Sequence, residues 1–165
     1  MIAKSILFIL LGLLIFSGCT SSTTVQKETK NTTTLFNIIK TSQVPADYLE
    51  YSEGKKEFLV YHSDTQSDIE LFEAEYEKLT NEVAPKFQGN MIIAKSGTKP
   101  STGYSISVES IKDNGRFTEV TLFSKSPGKG CMAGMALTNP YIIVEIPNDY
   151  KDVKFVEKSV SDDCE

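Results

Sequence analysis

The period of the hydrophobic pattern changes along the chain, and each change marks an element. From Met91 to Pro147 short apolar runs alternate with polar turns. The runs are Met91-Ile-Ile-Ala94, Tyr104 to Ile111, Arg116 to Ser124, and Leu137 to Pro147. Between them lie a turn from Lys95 to Gly103, an Asp113-Asn-Gly115 turn, and a glycine-rich loop carrying Cys131. Tyr104, Ile106, Val108 and Ser110 share one face while Ser105, Ser107 and Glu109 share the other, the period of two of a half-buried strand. Asn114-Gly115 suits the positive φ angles of a two-residue hairpin turn. The stretch reads as a meander of antiparallel strands around which the rest is organised. Upstream, Leu35 to Ile39 and Lys56 to His62 read as further strands, the first broken by Pro45 and Asp47. In the second, Phe58 and Val60 face opposite to Leu59 and Tyr61. The period then becomes helical: Ile69, Phe72, Tyr76, Leu79 and Val83 form one stripe, with Glu70, Glu73, Glu75 and Glu77 over the rest. Ser67 with Glu70 three positions on predicts a capping box, and Pro85 predicts the helix end. The expected fold class is mainly β (α+β), an antiparallel β-sandwich-like domain with one packed α-helix over residues 35–165.

The first 34 residues show no such pattern. Lys4 precedes an apolar run from Ile6 to Ile15, and Phe16-Ser-Gly-Cys19 comes at once after it, the layout of a targeting segment. The run is shorter than the ~20 residues that span a bilayer. Residues 1–18 resemble a bacterial lipoprotein signal peptide, with Phe16 where that pattern usually has Leu. The resemblance implies that Cys19 is acylated and becomes the mature N-terminus, its chains anchoring the protein with about 0.8 kcal/mol per buried methylene. Thr20 rather than Asp comes after the cysteine, which in a two-membrane bacterium favours the outer membrane. Residues 19–34 carry the lipid and a polar, low-complexity tether with too few apolar groups to order itself.

Charge and residue inventory narrow the chemistry. Beyond the tether lies one domain large enough to bury a core without a metal. The formal net charge is -5, and losing Lys4 makes the mature chain more acidic, against nucleic acid or a polybasic membrane patch as the contact. His62 is the single histidine and no Gly-x-Ser-x-Gly elbow exists, so no nucleophile has a base with an orienting partner. Phosphate-cradling glycine motifs are missing too. A zinc site would have to gather His62, Cys131, Cys164 and a carboxylate without the short paired spacings of such sites. No catalytic residue, metal or cofactor is therefore expected. With Cys19 assigned to lipid, Cys131 and Cys164 are expected to form a disulfide, as an exported protein permits. It would pin the C-terminal tail to the glycine-rich loop and stabilise by roughly 3 to 4 kcal/mol; two free thiols are the alternative. In that loop Pro127, Gly128, Gly130 and Gly134 permit varied backbone, and Met132 and Met135 read either as adaptable apolar contacts for a partner or as core.

Four stretches together resemble the PrcB C-terminal domain family: Phe87 to Ala94, Gly97 to Ile106, Ser126 to Cys131, and Thr138 to Pro147. The resemblance covers about residues 56 to 147, with Ser101-Thr-Gly-Tyr104 where the family shows Thr-Gly-Gly-Tyr. It implies a lipoprotein subunit of a surface protease complex that supports assembly or maturation of the catalytic subunit. The expected function is thus a non-catalytic accessory subunit, its partner a secreted or surface protease. The turn Lys99-Pro100-Ser101-Thr102-Gly103-Tyr104 also resembles the Asn-Pro-Thr-Thr-Gly-Tyr loop of chagasin-type inhibitors of papain-like proteases, which implies insertion into a protease cleft. Lys99 replaces the Asn, and the chain has no Trp for that family's other binding loop. Without that resemblance the segment is a proline-containing turn in which Gly103 takes a conformation other residues resist. Three readings stand at this level: an accessory subunit contacting its partner through residues 97–104 and 126–136, an inhibitor acting through Lys99 to Tyr104, and a structural envelope lipoprotein. The partner-binding candidates are Lys99, Pro100, Ser101, Thr102, Gly103, Tyr104, Met132 and Met135.

Overall fold

Two apolar runs of the folded part, Met91 to Ala94 and Tyr141 to Val144, lie side by side in the middle layer of the molecule. The structure, a computed structural model, describes residues 32–45, 54–150 and 152–162; the signal segment, Cys19 and Cys164 lie outside the described residues. In chain order the elements are β1 (Thr32–Thr33), β2 (Asn37–Pro45), β3 (Lys56–His62), α1 (Gln66–Thr80), β4 (Asn90–Ser96), β5 (Ser105–Asp113), β6 (Thr118–Pro127), β7 (Thr138–Ile146) and β8 (Val153–Asp162). They form two four-stranded sheets, ordered β2-β7-β4-β3 and β1-β5-β6-β8.

The middle sheet is covered on both faces. One face of β4 and β7 presents Met91, Ile93, Tyr141 and Ile143 to Phe72, Tyr76 and Leu79 of α1. The other presents Ile92, Ala94, Ile142, Val144 and Ile146 to Ile106, Ile111, Val120 and Leu122 of the second sheet. A strand buried on both sides has no polar face to alternate with, which is why these two strands read as continuous apolar runs. β5 does face water on one side, and its sequence alternates accordingly. β3 divides as expected, Leu59 and Tyr61 joining the helix-side core and Phe58 and Val60 the inter-sheet core. The mainly-β architecture with a single packed helix is therefore as the pattern predicts.

Its wiring differs from the expected meander. Among the described residues only β5 and β6 form a hairpin; β4 and β5 belong to different sheets, and so do β6 and β7. β8, read from sequence as a tail, pairs parallel to β6 from Thr118↔Val153 to Pro127↔Asp162. Thr32 and Thr33, which the pattern assigns to the tether, pair with Asp113 and Lys112, so the folded part extends to Thr32. The Asp113–Thr118 hairpin carries a longer loop than two residues. Within it only Gly115 has positive φ (77°), because the Asn114 side-chain oxygen instead accepts the N–H groups of Arg116 and Phe117.

The helix also departs at both ends. Its N-cap is Thr65, without a side-chain capping bond, and Glu70 pairs with Gln66 rather than closing a box with Ser67. It stops before Pro85: Asn81 takes the left-handed conformation (φ 56°) and its N–H bonds to the Glu77 carbonyl at 2.7 Å. Val83 therefore leaves the stripe and is exposed. Phe72 anchors the helix, its ring centroid 5.7, 5.6 and 5.0 Å from those of Tyr61, Tyr76 and Phe87. Lys95, nearly buried, ties the layers together, its Nζ 2.7 Å from both Glu57 and Glu75. Loss of water pulls its pKa down, but hydrogen bonds and charge attraction from the two glutamates outweigh this and hold it above the ordinary lysine value.

Candidate functional site

Both crossings between the sheets near the ends of β4 and β6 lie at the same end of the sandwich. The chain leaves the middle sheet at Ser96 and enters the other at Ser105, then leaves that sheet at Pro127 and returns at Thr138. The two connecting loops are laced together. Lys99 and Thr138 exchange backbone bonds of 2.7 and 3.0 Å, and the Thr138 hydroxyl donates to the Ser101 carbonyl at 3.0 Å. Further along, the Thr102 N–H donates to the Gly134 carbonyl at 3.0 Å, while the Gly134 N–H donates back to the Thr102 hydroxyl at 2.7 Å. Pro140 fits this departure. The Thr138 N–H, bonded to Lys99 on the side away from β2, shows that alternate residues of β7 point toward the β4 side. The β4 pairing ends at Lys95↔Tyr141, so the N–H that Pro140 lacks has no ladder partner to miss.

Two glycines are called for here, Gly103 by its backbone conformation and Gly128 by space. Gly103 has φ 92°, a conformation that side chains resist, and a Cβ there would stand 3.5 Å from Pro127 and 3.7 Å from Ala133. Gly128 lies against the end of β8, where an added Cβ would sit 1.9 Å from the Asp162 carbonyl oxygen. The Cys131 Sγ also reaches this place, 3.4 Å from the same oxygen, and Lys125 pairs with the Asp162 carboxylate at 2.5 Å.

The surface of this platform is apolar at its tip. Met132 and Met135 are fully exposed and Leu137 is about half exposed, so the core alternative for the methionines does not hold. Pro100 and Gly103 are exposed beside them, and the Lys99 ammonium lies 5.8 Å from the Tyr104 ring centroid. The fold thus brings the six candidates Lys99 to Tyr104 into the same platform as the loop bearing Met132 and Met135. Cys131 lies at its edge, and its expected partner Cys164 is outside the described residues.

A second polar cluster, at the opposite end of the middle sheet, had no signal in the sequence. Asn90, fully buried, accepts the Tyr150 N–H at 2.6 Å and donates to the Tyr150 carbonyl at 3.1 Å, fastening the connection from β7 to β8. His62 Nδ1 stands 2.9 Å from the Asn90 amide nitrogen and 3.1 Å from Asp149, and the His62 N–H donates to Asp68 at 3.0 Å. His62, partly buried, thus ends β3 within this polar cluster.

These features define a class: among the described residues, a mainly-β domain of two packed sheets with one helix, whose most distinctive surface is a hydrogen-bonded pair of inter-sheet loops. Residues 91–147 match the family model described as PrcB C-terminal. The match runs through β4, β5, β6 and β7 and takes in both loops, bearing out the resemblance over this segment; it begins at Met91, not near residue 56. No curated protein and no solved structure matches the chain.

Proposed function

We propose that this protein is a lipid-anchored, non-catalytic accessory subunit that binds a secreted or surface protease through the paired loops 97–104 and 126–136. The observation that carries the reading is the reciprocal bond pair between Thr102 and Gly134. It holds two otherwise permissive loops in one shape while Met132 and Met135 project into water. Exposed methionines on a fixed frame suit a protein partner, because they adapt to its surface without the frame losing order on binding. The family matched by residues 91–147 supports a protease complex as the setting.

The same lacing favours a subunit over a chagasin-like inhibitor. Lys99, Ser101 and Thr102 all bond to the neighbouring loop or to Thr138, which leaves little of the Lys99 to Tyr104 turn free to enter a cleft. Anchoring through Cys19 in the bacterial cell envelope, at the outer membrane, is part of the proposal and is supported by Phe16-Ser-Gly-Cys19 behind its apolar run. The Cys131–Cys164 disulfide is part of it as well. Its support is the position of the Cys131 Sγ against Asp162, two residues before Cys164.

An affinity pull-down of the full lipidated protein from mild-detergent extracts of its native membrane, read by mass spectrometry, tests the reading. A protease recovered in stoichiometric amount, and lost when Met132 and Met135 are replaced by Ser, is the expected result. Recovery of the intact lipoprotein without a protease refutes the function.

A further inference from the structure

Strand β8 forms one edge of the outer sheet. Among the described residues its hydrogen-bonded neighbour is β6, on one side. The Asp152 carbonyl accepts the Thr118 N–H at 2.7 Å, which fixes the alternation: even-numbered residues of β8 bond to β6. The N–H and C=O groups of Phe155, Glu157, Ser159 and Ser161 then point outward along the open edge. Natural edge strands are blunted by prolines, bulges, outward-reaching lysines or inward-pointing charges; of these β8 has an inward charge, Glu157, which Lys56 of β3 neutralises. β8 contains no proline, and its register with β6 runs without a bulge from Val153 to Asp162. Its two lysines are drawn back over their own sheet, the Lys154 ammonium lying 3.9 Å from the Phe117 ring centroid and Lys158 pairing with Glu109 at 2.6 Å. Val156 and Val160 remain as exposed apolar groups on the outer face.

We propose that β8 is a self-docking strand, through which a second copy of this chain extends the outer sheet by antiparallel β8-to-β8 pairing with Lys158 on the two-fold axis. The occupant is identified by complementarity. In this register Val156 lies opposite Val160 of the second copy and Lys154 opposite Asp162, each pair occurring twice by symmetry. The two Lys158 ammonium groups face each other once, at the axis, each neutralised by its own Glu109 at 2.6 Å, whereas a slip that opposes Lys154 to Lys158 does so twice. Residues with outward backbone groups meet residues of the same kind, as pairing requires. Slipping by two residues sets Val156 against Lys158 in one direction and Val160 against Lys158 in the other. Slipping by four opposes Lys154 to Lys158 one way and shortens the overlap to Lys158–Asp162 the other way. A single added strand pair buries little area, so the contact is weak in free solution and gains when chains are concentrated on one surface.

Cross-linking of the full chain in detergent micelles tests the register. Val156→Cys and Val160→Cys variants are mixed under mild oxidation, and peptide mass spectrometry assigns the bonds. A disulfide from position 156 to position 160 is expected in the mixture and not in either variant alone, since like positions lie about 13 Å apart in this register. Ser159→Pro removes an outward N–H without touching the β6 ladder. It should lower the cross-linked yield roughly tenfold, from two lost donors per dimer, with the circular dichroism spectrum unchanged. Equal cross-linking in the single variants, or none in the mixture, overturns the proposal. So does a bond from either position to a different protein, which would assign the edge to a foreign strand.

Discussion

Thr102 joins the two loops in both directions, and replacing it by Val tests whether the platform is held as a unit. Thr102→Val keeps the branched shape and one methyl but removes the hydroxyl that accepts the Gly134 N–H at 2.7 Å. A single intramolecular hydrogen bond contributes about 0.5 to 1.5 kcal/mol net. Gly134 is exposed, so water takes up its freed N–H, and about 1 kcal/mol of local stability is lost rather than the larger penalty of a buried orphan. At room temperature that is roughly a fivefold change in the local opening constant. Amide hydrogen exchange by NMR reads it directly. The N–H of residue 102, which donates to the Gly134 carbonyl, should exchange about fivefold faster, because opening no longer has to break the second bond. The amides of Lys99 and Thr138, bonded to each other, should keep their rates. Unchanged exchange at residue 102 would refute the claim that the hydroxyl holds the loops together, and faster exchange at all three would show general loosening instead.

Three other outcomes are expected from the structure. Phe72→Ala removes a side chain packed against Tyr61, Tyr76 and Phe87; it should cost about 3 to 5 kcal/mol in urea unfolding, and a loss under about 1 kcal/mol would mean that the helix is not anchored there. Met132→Ser with Met135→Ser should change stability by less than about 0.5 kcal/mol, because both side chains already stand in water; a larger loss by thermal melting would assign them to packing. Alkaline pH should destabilise the fold. Lys95, Tyr61 and Tyr141 all hold their protons above their ordinary values of 10.5 and 10.0, with burial the leading cause for the tyrosines and the Glu57 and Glu75 pairs overcoming burial for Lys95. The unfolded chain then releases protons first, so stability is full below about pH 10 and falls as pH rises through the folded values. Urea midpoints between pH 8 and 11 check this, and in Lys95→Met the decline should be shallower.

Local pattern revealed whatever is held by neighbours in sequence. Phe72, Tyr76 and Leu79 were legible as a buried stripe because helical spacing alone puts them together, and Lys56 to His62 because its two faces alternate. Val83 was misplaced because the stripe continues past a stop set by one left-handed residue, Asn81. The continuous runs in β4 and β7 announced burial. Their pairing with each other, and the division into two sheets, rest on contacts between distant parts of the chain that no window contains. β8 was missed for the same reason: its Val and Phe positions alternate weakly among charges, and its ladder is supplied by β6. Gly103 was recognisable as a turn glycine, but its loop became part of a platform only through Thr102 and Gly134, which sequence spacing does not connect. Asn90 gave no local sign that it would fasten Tyr150.

The pairing of β2 with β7 carries a consequence for how the molecule comes into being. Asn37 lies against Glu145 and Thr32 against Asp113, while the outer sheet is completed by the chain's last described strand. Among the described strands, β2 must therefore wait until residues 138–145 exist, and such long-range closure is slow. Until β7 is made the middle sheet lacks its central strand, leaving β2 without a neighbour and β4 with β3 alone. Assembly of the two sheets is thereby tied to the late strands β7 and β8, while local pieces such as the β5–β6 hairpin can precede it.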